Sequence, residues 1–286
     1  MPRTKSRLRT DTSTRLAELE QRRPEWGTWL ALLSRAFESV SQSPVASRPS
    51  VTASPGIPLL HQCTLHVDAS WARRLVGDLV STAARGDLAG GATLREYRPS
   101  REDAVGLTLA AVRQDAEELT ALAHSAGVDR GALASIAHLA ALPLLQSCGR
   151  QLDGEIPAYW PQGYCPVCAA WPILAERRGL DRSRRLRCGR CAAEWEVQWL
   201  CCIYCGEKQH ELLGMLEPAE RSEQLKVETC GTCRGYLKSI ASLQGFSSME
   251  LLLQDLETVE LDLVALERGY GKPEERGFRL ELGAGS

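Results

Sequence analysis

Four short stretches decide how this chain is read: Cys165-Pro166-Val167-Cys168, Cys188-Gly189-Arg190-Cys191, Cys202-Ile203-Tyr204-Cys205 and Cys230-Gly231-Thr232-Cys233. Together they hold eight of the eleven cysteines, with 19 residues between the first two pairs and 24 between the last two. The two residues inside a Cys-x-x-Cys fold into a tight knuckle that aims both sulfurs at one point. Two knuckles facing each other across a hairpin then supply the four tetrahedral sulfur ligands that zinc or iron takes. The first spacing lies within the range seen for zinc sites, and the second exceeds it by a few residues that a longer hairpin loop absorbs cheaply. The spacing therefore predicts two four-cysteine metal sites, one from Cys165, Cys168, Cys188 and Cys191, the other from Cys202, Cys205, Cys230 and Cys233. Disulfides are the alternative, but the sequence opens with no apolar signal segment. A redox-active Cys-x-x-Cys normally occurs once, at the start of a helix after a strand.

Around the cysteines the periodicity is strand-like. Residues 171–176 and 184–187 form the arms of one expected hairpin, turning at Gly179-Leu180-Asp181, and Glu194–Trp199 alternates with period two. In the second module, 212–216 and 224–228 form the arms and Pro218–Ser222 the loop. Modules this small build little core, so bound metal has to contribute much of their folding energy, roughly 10–16 kcal/mol for a structural zinc. A saturated four-thiolate site has no open position and is a poor hydrolytic catalyst. No activated nucleophile is visible elsewhere, and a non-enzymatic role follows. Arg177, Arg178, Arg182, Arg184, Arg185, Arg187 and Arg190 make the first hairpin basic. A phosphate backbone could use it, but the chain's net charge of -2 favours arginines that balance the thiolates and nearby acids. Cys201 beside Cys202 would give an x-x-x spacing, so Cys202 is the expected ligand and Cys201 a spare thiol on the strand.

The rest of the chain is helical. Residues 1–11 are basic and polar and read as a tail. Helices are expected over 12–23, after Pro24, and over 69–86, 100–127 and 129–149, with a kink at Pro143. Residues 41–60 are rich in Ser and Pro and read as a surface crossing. His61, Cys63, His66, His124 and His138 lack paired ligand spacing and are expected to be structural. A last helix over 247–268, capped by Ser247 or Ser248, places Leu252, Leu256, Val259, Leu263 and Leu266 on one buried face, with Asp255, Glu257, Glu260, Asp262 and Glu267 in solvent. No run of eighteen apolar residues exists, so no membrane span is expected. The fold class is α+β: an all-helical N-terminal domain (12–153), two small zinc-ribbon-like β modules (160–199 and 200–240), a C-terminal helix (247–268) and a tail (269–286).

The order Gly-Tyr-Cys-Pro-Val-Cys-Ala-Ala-Trp-Pro from Gly163, Arg-Leu-Arg-Cys-Gly-Arg-Cys-Ala-Ala-Glu-Trp from Arg185, Cys202–Gly206, Glu228–Lys238 and the ending Leu261-Asp262-Leu263 with Glu267–Tyr270 resembles the FdhE family of formate dehydrogenase accessory proteins. The resemblance covers nearly the whole chain, weakly in the helical half. It implies a cytoplasmic protein with two rubredoxin-like modules, iron rather than zinc in the cages, and the formate dehydrogenase catalytic subunit as partner before export. All eight cysteine positions match. The departures are Ala169 and Ala192 where glycine commonly follows a knuckle, and Arg234 before Gly235. Two other functions remain open from residues alone, a nucleic-acid-binding zinc ribbon and a rubredoxin-type electron carrier. Oligomeric state is not readable.

Overall fold

A computed structural model describes residues 14–40, 49–51, 53–218 and 223–283. The basic tail, the cap of the first helix, residues 41–48 and 52 of the Ser/Pro crossing and the tip of the second hairpin lie outside the described residues. The described residues fall into two compact units, one within 1–50, 62–151 and 281–286, the other within 51–61 and 152–280.

The first unit is helical. Its elements are α1 (14–22), α2 (Gly27–Val40), α3 (Ala69–Arg85), α4 (Arg101–Arg113), α5 (Ala116–Ala126) and α6 (Arg130–Leu152). Pro24 opens a single 3-10 turn that leads into α2. The helix expected over 100–127 is two helices. Gln114 takes a left-handed conformation (φ 57°), and the Asp115 carboxylate accepts the Glu118 amide to start α5. A side chain that competes for the backbone in this way favours a new cap over continued helix. α6 runs through Pro143 without ending, and Leu133, Ile136, Leu144 and Leu145 on it are fully buried. Extended by its last turn to Glu155, it is the single described helix long and apolar enough to cross a membrane. However, 72% of its apolar window is buried within the protein, as expected of a core helix.

The second unit is built on one six-stranded mixed sheet, ordered β3-β2-β1-β6-β5-β4. The strands are β1 (Leu174–Arg178), β2 (Ser183–Arg187), β3 (Glu194–Glu196), β4 (Leu213–Leu216), β5 (Leu225–Cys230) and β6 (Tyr236–Ser242). Both expected hairpins are present: β1 with β2, and β4 with β5. The strand after Glu194 stops at Glu196, so Trp199 and Cys201 lie beyond it. The two cysteine modules share this sheet, because β6 pairs antiparallel with β5 and parallel with β1. Tyr236-Leu237-Lys238-Ser239-Ile240 is buried on both faces, as a central strand's residues are.

The C-terminal helix is also two, α7 (Ser248–Glu257) and α8 (Val259–Glu267). Ser247 is the cap, in a capping box with Glu250. Thr258 ends α7, its hydroxyl donating back to the Gln254 carbonyl at 2.6 Å. The break rotates the apolar stripe. Leu251, Leu253, Leu261 and Ala265 are buried, whereas Leu263 and Leu266, expected inside, are more than half exposed. The inward residues pack with Leu174, Leu225, Val227, Tyr236 and Ile240 of the sheet. Asp255 and Asp262, expected in solvent, turn inward to the fully buried Lys238 ammonium, 2.6 Å from each. A buried cation needs such partners. Residues 269–280 are not loose either: Gly271 bridges Gly235, and the Trp171 indole donates to the Glu275 carbonyl at 2.8 Å.

Candidate metal centre

The four knuckles share one backbone geometry. The amides of Cys165, Cys188, Cys202 and Cys230 each donate to the carbonyl five residues on, in Ala170, Ala193, Glu207 and Gly235, at 2.8–3.0 Å. The residue after each second cysteine is left-handed: Ala169 (φ 63°), Ala192 (64°), Gly206 (76°) and Arg234 (58°). Three of these residues therefore hold a conformation that glycine enters without cost and other residues do not. At the fourth knuckle compensation is visible. The Arg234 guanidinium donates to the Arg268 and Gly269 carbonyls and stacks over the Tyr270 ring, 4.0 Å from its centroid.

The knuckles bring all eight predicted cysteines together in two groups of four: Cys165, Cys168, Cys188 and Cys191, and Cys202, Cys205, Cys230 and Cys233. Within each group the sulfurs lie within 4.8 Å of one another. Cys165–Cys191 and Cys168–Cys188 approach to 3.4 and 3.5 Å, Cys202–Cys233 and Cys205–Cys230 to 3.6 and 3.7 Å. A disulfide needs about 2.05 Å, and none of the eleven cysteines is in one. Four sulfurs at about 2.3 Å from a central ion stand roughly 3.8 Å apart, so both groups fit a tetrahedral ion. Each could hold a metal. The amides of Val167 and Gly235 point at the Cys165 and Cys233 sulfurs, 3.4 Å away, and so favour the thiolate form.

The protonation pattern reflects the crowding. Burial pushes the Cys165 and Cys191 thiols well up, while hydrogen bonds from Cys165, Cys168 and Cys191 hold Cys188 well below the ordinary thiol range. In the second cage burial raises Cys202. Burial also acts to raise Cys230, but the backbone amides of Cys233 and Thr232 outweigh it and hold that thiol low. Each cage thus has one sulfur already disposed to ionise, as a ligand must be.

The cages differ in exposure. Cys165, Cys168, Cys188 and Cys191 are all at most 1% exposed. A strap crosses the first knuckle, with the Leu59 and Leu60 amides donating to the Pro166 and Val167 carbonyls at 2.7 and 3.0 Å. Leu59 and Leu60 are buried, so the end of the expected surface crossing is part of the core. In the second cage Cys202 and Cys230 are buried, but Cys205 and Cys233 are exposed. They open onto a groove of about 1350 Å³ whose walls include Trp171, Trp199, Tyr204 and Cys201. This groove was not apparent from the spacing; its one sequence signal is the run of aromatics around the first knuckle, Tyr159-Trp160, Tyr164 and Trp171.

The basic hairpin is largely paired within its own sheet. Arg178 and Arg187 converge on the Glu176 carboxylate, whose side chain is fully buried. The Ser242 hydroxyl and the Phe246 amide donate to the same group, at 2.5 and 3.3 Å. Arg178 and Arg185 also meet Glu194, Arg185 meets Glu196, and Arg184 meets Glu228 at 2.5 Å. Arg177 donates to the Glu223 and Gln224 carbonyls. Glu228 lies on β5 of the second module, so the arginines bind the two modules to each other. Outside the cages, Cys63 donates to the Ser50 carbonyl at 3.1 Å. Among the described residues, the two four-cysteine clusters are the groups that could hold a metal ion.

Residues 187–276 match the family model described as FdhE, C-terminal domain. Curated relatives named Protein FdhE homolog include one from Aquifex aeolicus, 31% identical over 122 residues, or 42% of each chain. One from Stutzerimonas stutzeri is 34% identical over 114 residues, 39% of this chain and 36% of the relative. One from Pseudomonas aeruginosa is 32% identical over 125 residues, 41% of this chain and 40% of the relative. These matches span about two fifths of the relatives' length. The crystal structure of the FdhE protein from Pseudomonas aeruginosa shares the fold, with a TM-score of 0.58 at 23% identity over 93% of this chain and 92% of that one. Over residues 187–276 the chain is therefore similar in sequence to the FdhE C-terminal domain, and over most of its length it has the fold of the Pseudomonas aeruginosa FdhE protein.

Proposed function

We propose that this chain is an accessory protein in the maturation of formate dehydrogenase. It acts in the cytoplasm and binds the immature catalytic subunit through the cage-bearing sheet. What carries this reading is a pair of four-sulfur cages set in one continuous sheet, six of whose eight cysteines lie inside the segment matching the FdhE model. Two saturated cages suit a rigid docking platform better than hydrolysis, because no ligand position is left for a reacting water. The eight cysteines are the metal ligands, and iron is the ion assigned to them, with zinc able to fill the same tetrahedra. With iron bound, each cage would supply one-electron chemistry tuned by amide bonds to sulfur and by exposure.

The test is complementation in a formate-dehydrogenase-producing host lacking its own factor, with co-purification of the catalytic subunit on the tagged chain. Restored formate oxidation together with recovery of that subunit is expected. Full activity in the host without the chain, or no recovery of the subunit, contradicts the reading.

A further inference from the structure

We infer that the two cages have different tasks: the first is a permanent staple, and the second is an exchange site whose ion is reached by thiolate ligands entering the groove through Cys205 and Cys233. The inference deepens the reading above and shares with it the assignment of the eight cysteines as ligands.

Three independent features carry it. All four sulfurs of the first cage belong to residues at most 1% exposed, whereas two of the four residues in the second are exposed. The first knuckle is strapped by backbone hydrogen bonds from Leu59 and Leu60. The second cage instead contributes Cys202, Cys205 and Cys233 to the wall of a groove of about 1350 Å³. A ligand from solvent can therefore approach the second cage without unfolding, while the first must open its core before any exchange. The groove also carries Cys201, so a fifth thiol faces the same space without being needed for the tetrahedron.

The exchange is a ligand substitution with no electron transfer. With an ion held by Cys202, Cys205, Cys230 and Cys233, an entering thiolate would take the place of Cys205 or Cys233, and the released cysteine thiolate would take a proton from water. Because one thiolate would replace another, the exchange needs no oxidant or reductant. Partners of this class are thiol-bearing peptides or small dithiols. A carboxylate chelator, being harder, competes less well for a soft site.

The experiment loads the full chain with zinc and follows transfer to a chromogenic chelator in the presence of a small dithiol. Two phases of equal amplitude are expected, one zinc per chain leaving at least about tenfold faster than the other, as exposure controls access to the ligands. Cys205→Ser should remove the fast phase and leave the slow one. Should that variant fail to fold, alkylation of the wild-type chain read by mass spectrometry decides the matter. Cys205 and Cys233 should be modified before any of Cys165, Cys168, Cys188 and Cys191. A single phase releasing both ions, a fast phase that survives Cys205→Ser, or first-cage cysteines alkylated as early as Cys205 overturns the inference. Each of these outcomes leaves the maturation reading to its own complementation test.

Discussion

The Ser242 hydroxyl at the end of β6 donates to the Glu176 carboxylate on β1, 2.5 Å away, and so links the second cysteine module to the first. Glu176 receives Arg178 and Arg187 in the same place, and its side chain has no exposure. Burial acts to raise its pKa, but hydrogen bonds from Arg178 and Ser242 and the charges of Arg187 and Arg178 outweigh burial and hold it low. Removing one partner from a buried ionic cluster costs about 3–5 kcal/mol, because the remaining charges stay desolvated. Glu176→Ala should therefore lower stability by about that amount in chemical denaturation.

The same group sets part of the acid response. Its folded-state pKa is lowered from the model-compound value of 4.5, so its contribution is complete above that pH and is lost as pH falls through the lower folded value. Glu194, also held low against burial by Arg178, Arg187 and Arg185, acts in the same direction. Denaturation midpoints of the intact protein should decline below about pH 4.5, and in Glu176→Gln the decline should be shallower. An identical acid limb in both proteins contradicts the assignment.

Ala192 is left-handed at φ 64° and only half-buried. Glycine there removes a conformational penalty of about 1–2 kcal/mol, partly offset by its greater freedom when unfolded. Ala192→Gly should raise the melting temperature by about 2–4 °C. Ala169 has the same backbone but a fully buried methyl. Losing that methyl costs close to 0.8 kcal/mol, so Ala169→Gly should be near neutral.

Gly163 packs against the third knuckle. A methyl there would stand 1.8 Å from the Ile203 carbonyl oxygen, which is backbone and has no rotamer to escape through. Gly163→Ala should cost about 1–3 kcal/mol. It should also loosen metal held by Cys202 and Cys205 more than metal in the first cage, as read by chelator competition.

The cages were legible in the sequence because four copies of a two-residue spacing leave a knuckle little choice, and the hairpins followed from the cysteines they connect. The union of the modules was not legible. It depends on β6, which is buried on both faces and so shows no alternation beyond Tyr236-Leu237-Lys238. The C-terminal helix misled for a related reason. A single periodic stripe fits 247–268, but Thr258 breaks it and Lys238, distant in sequence, draws Asp255 and Asp262 inward. The arginine hairpin reads from the sequence as balancing thiolates and nearby acids, and most of its charges do meet carboxylates, but which carboxylate each one meets depends on how the sheet brings them together. Such pairings are set by register and topology, which local pattern does not encode.

The most direct test of the central claim is the metal content of the chain purified without air, measured with its absorption spectrum. The account predicts about two ions per chain, falling to about one in a Cys202→Ser, Cys205→Ser double variant. If iron fills both cages, the charge-transfer bands should bleach on reduction. A folded chain with no bound metal, or one whose thiols are recovered as disulfides, contradicts it.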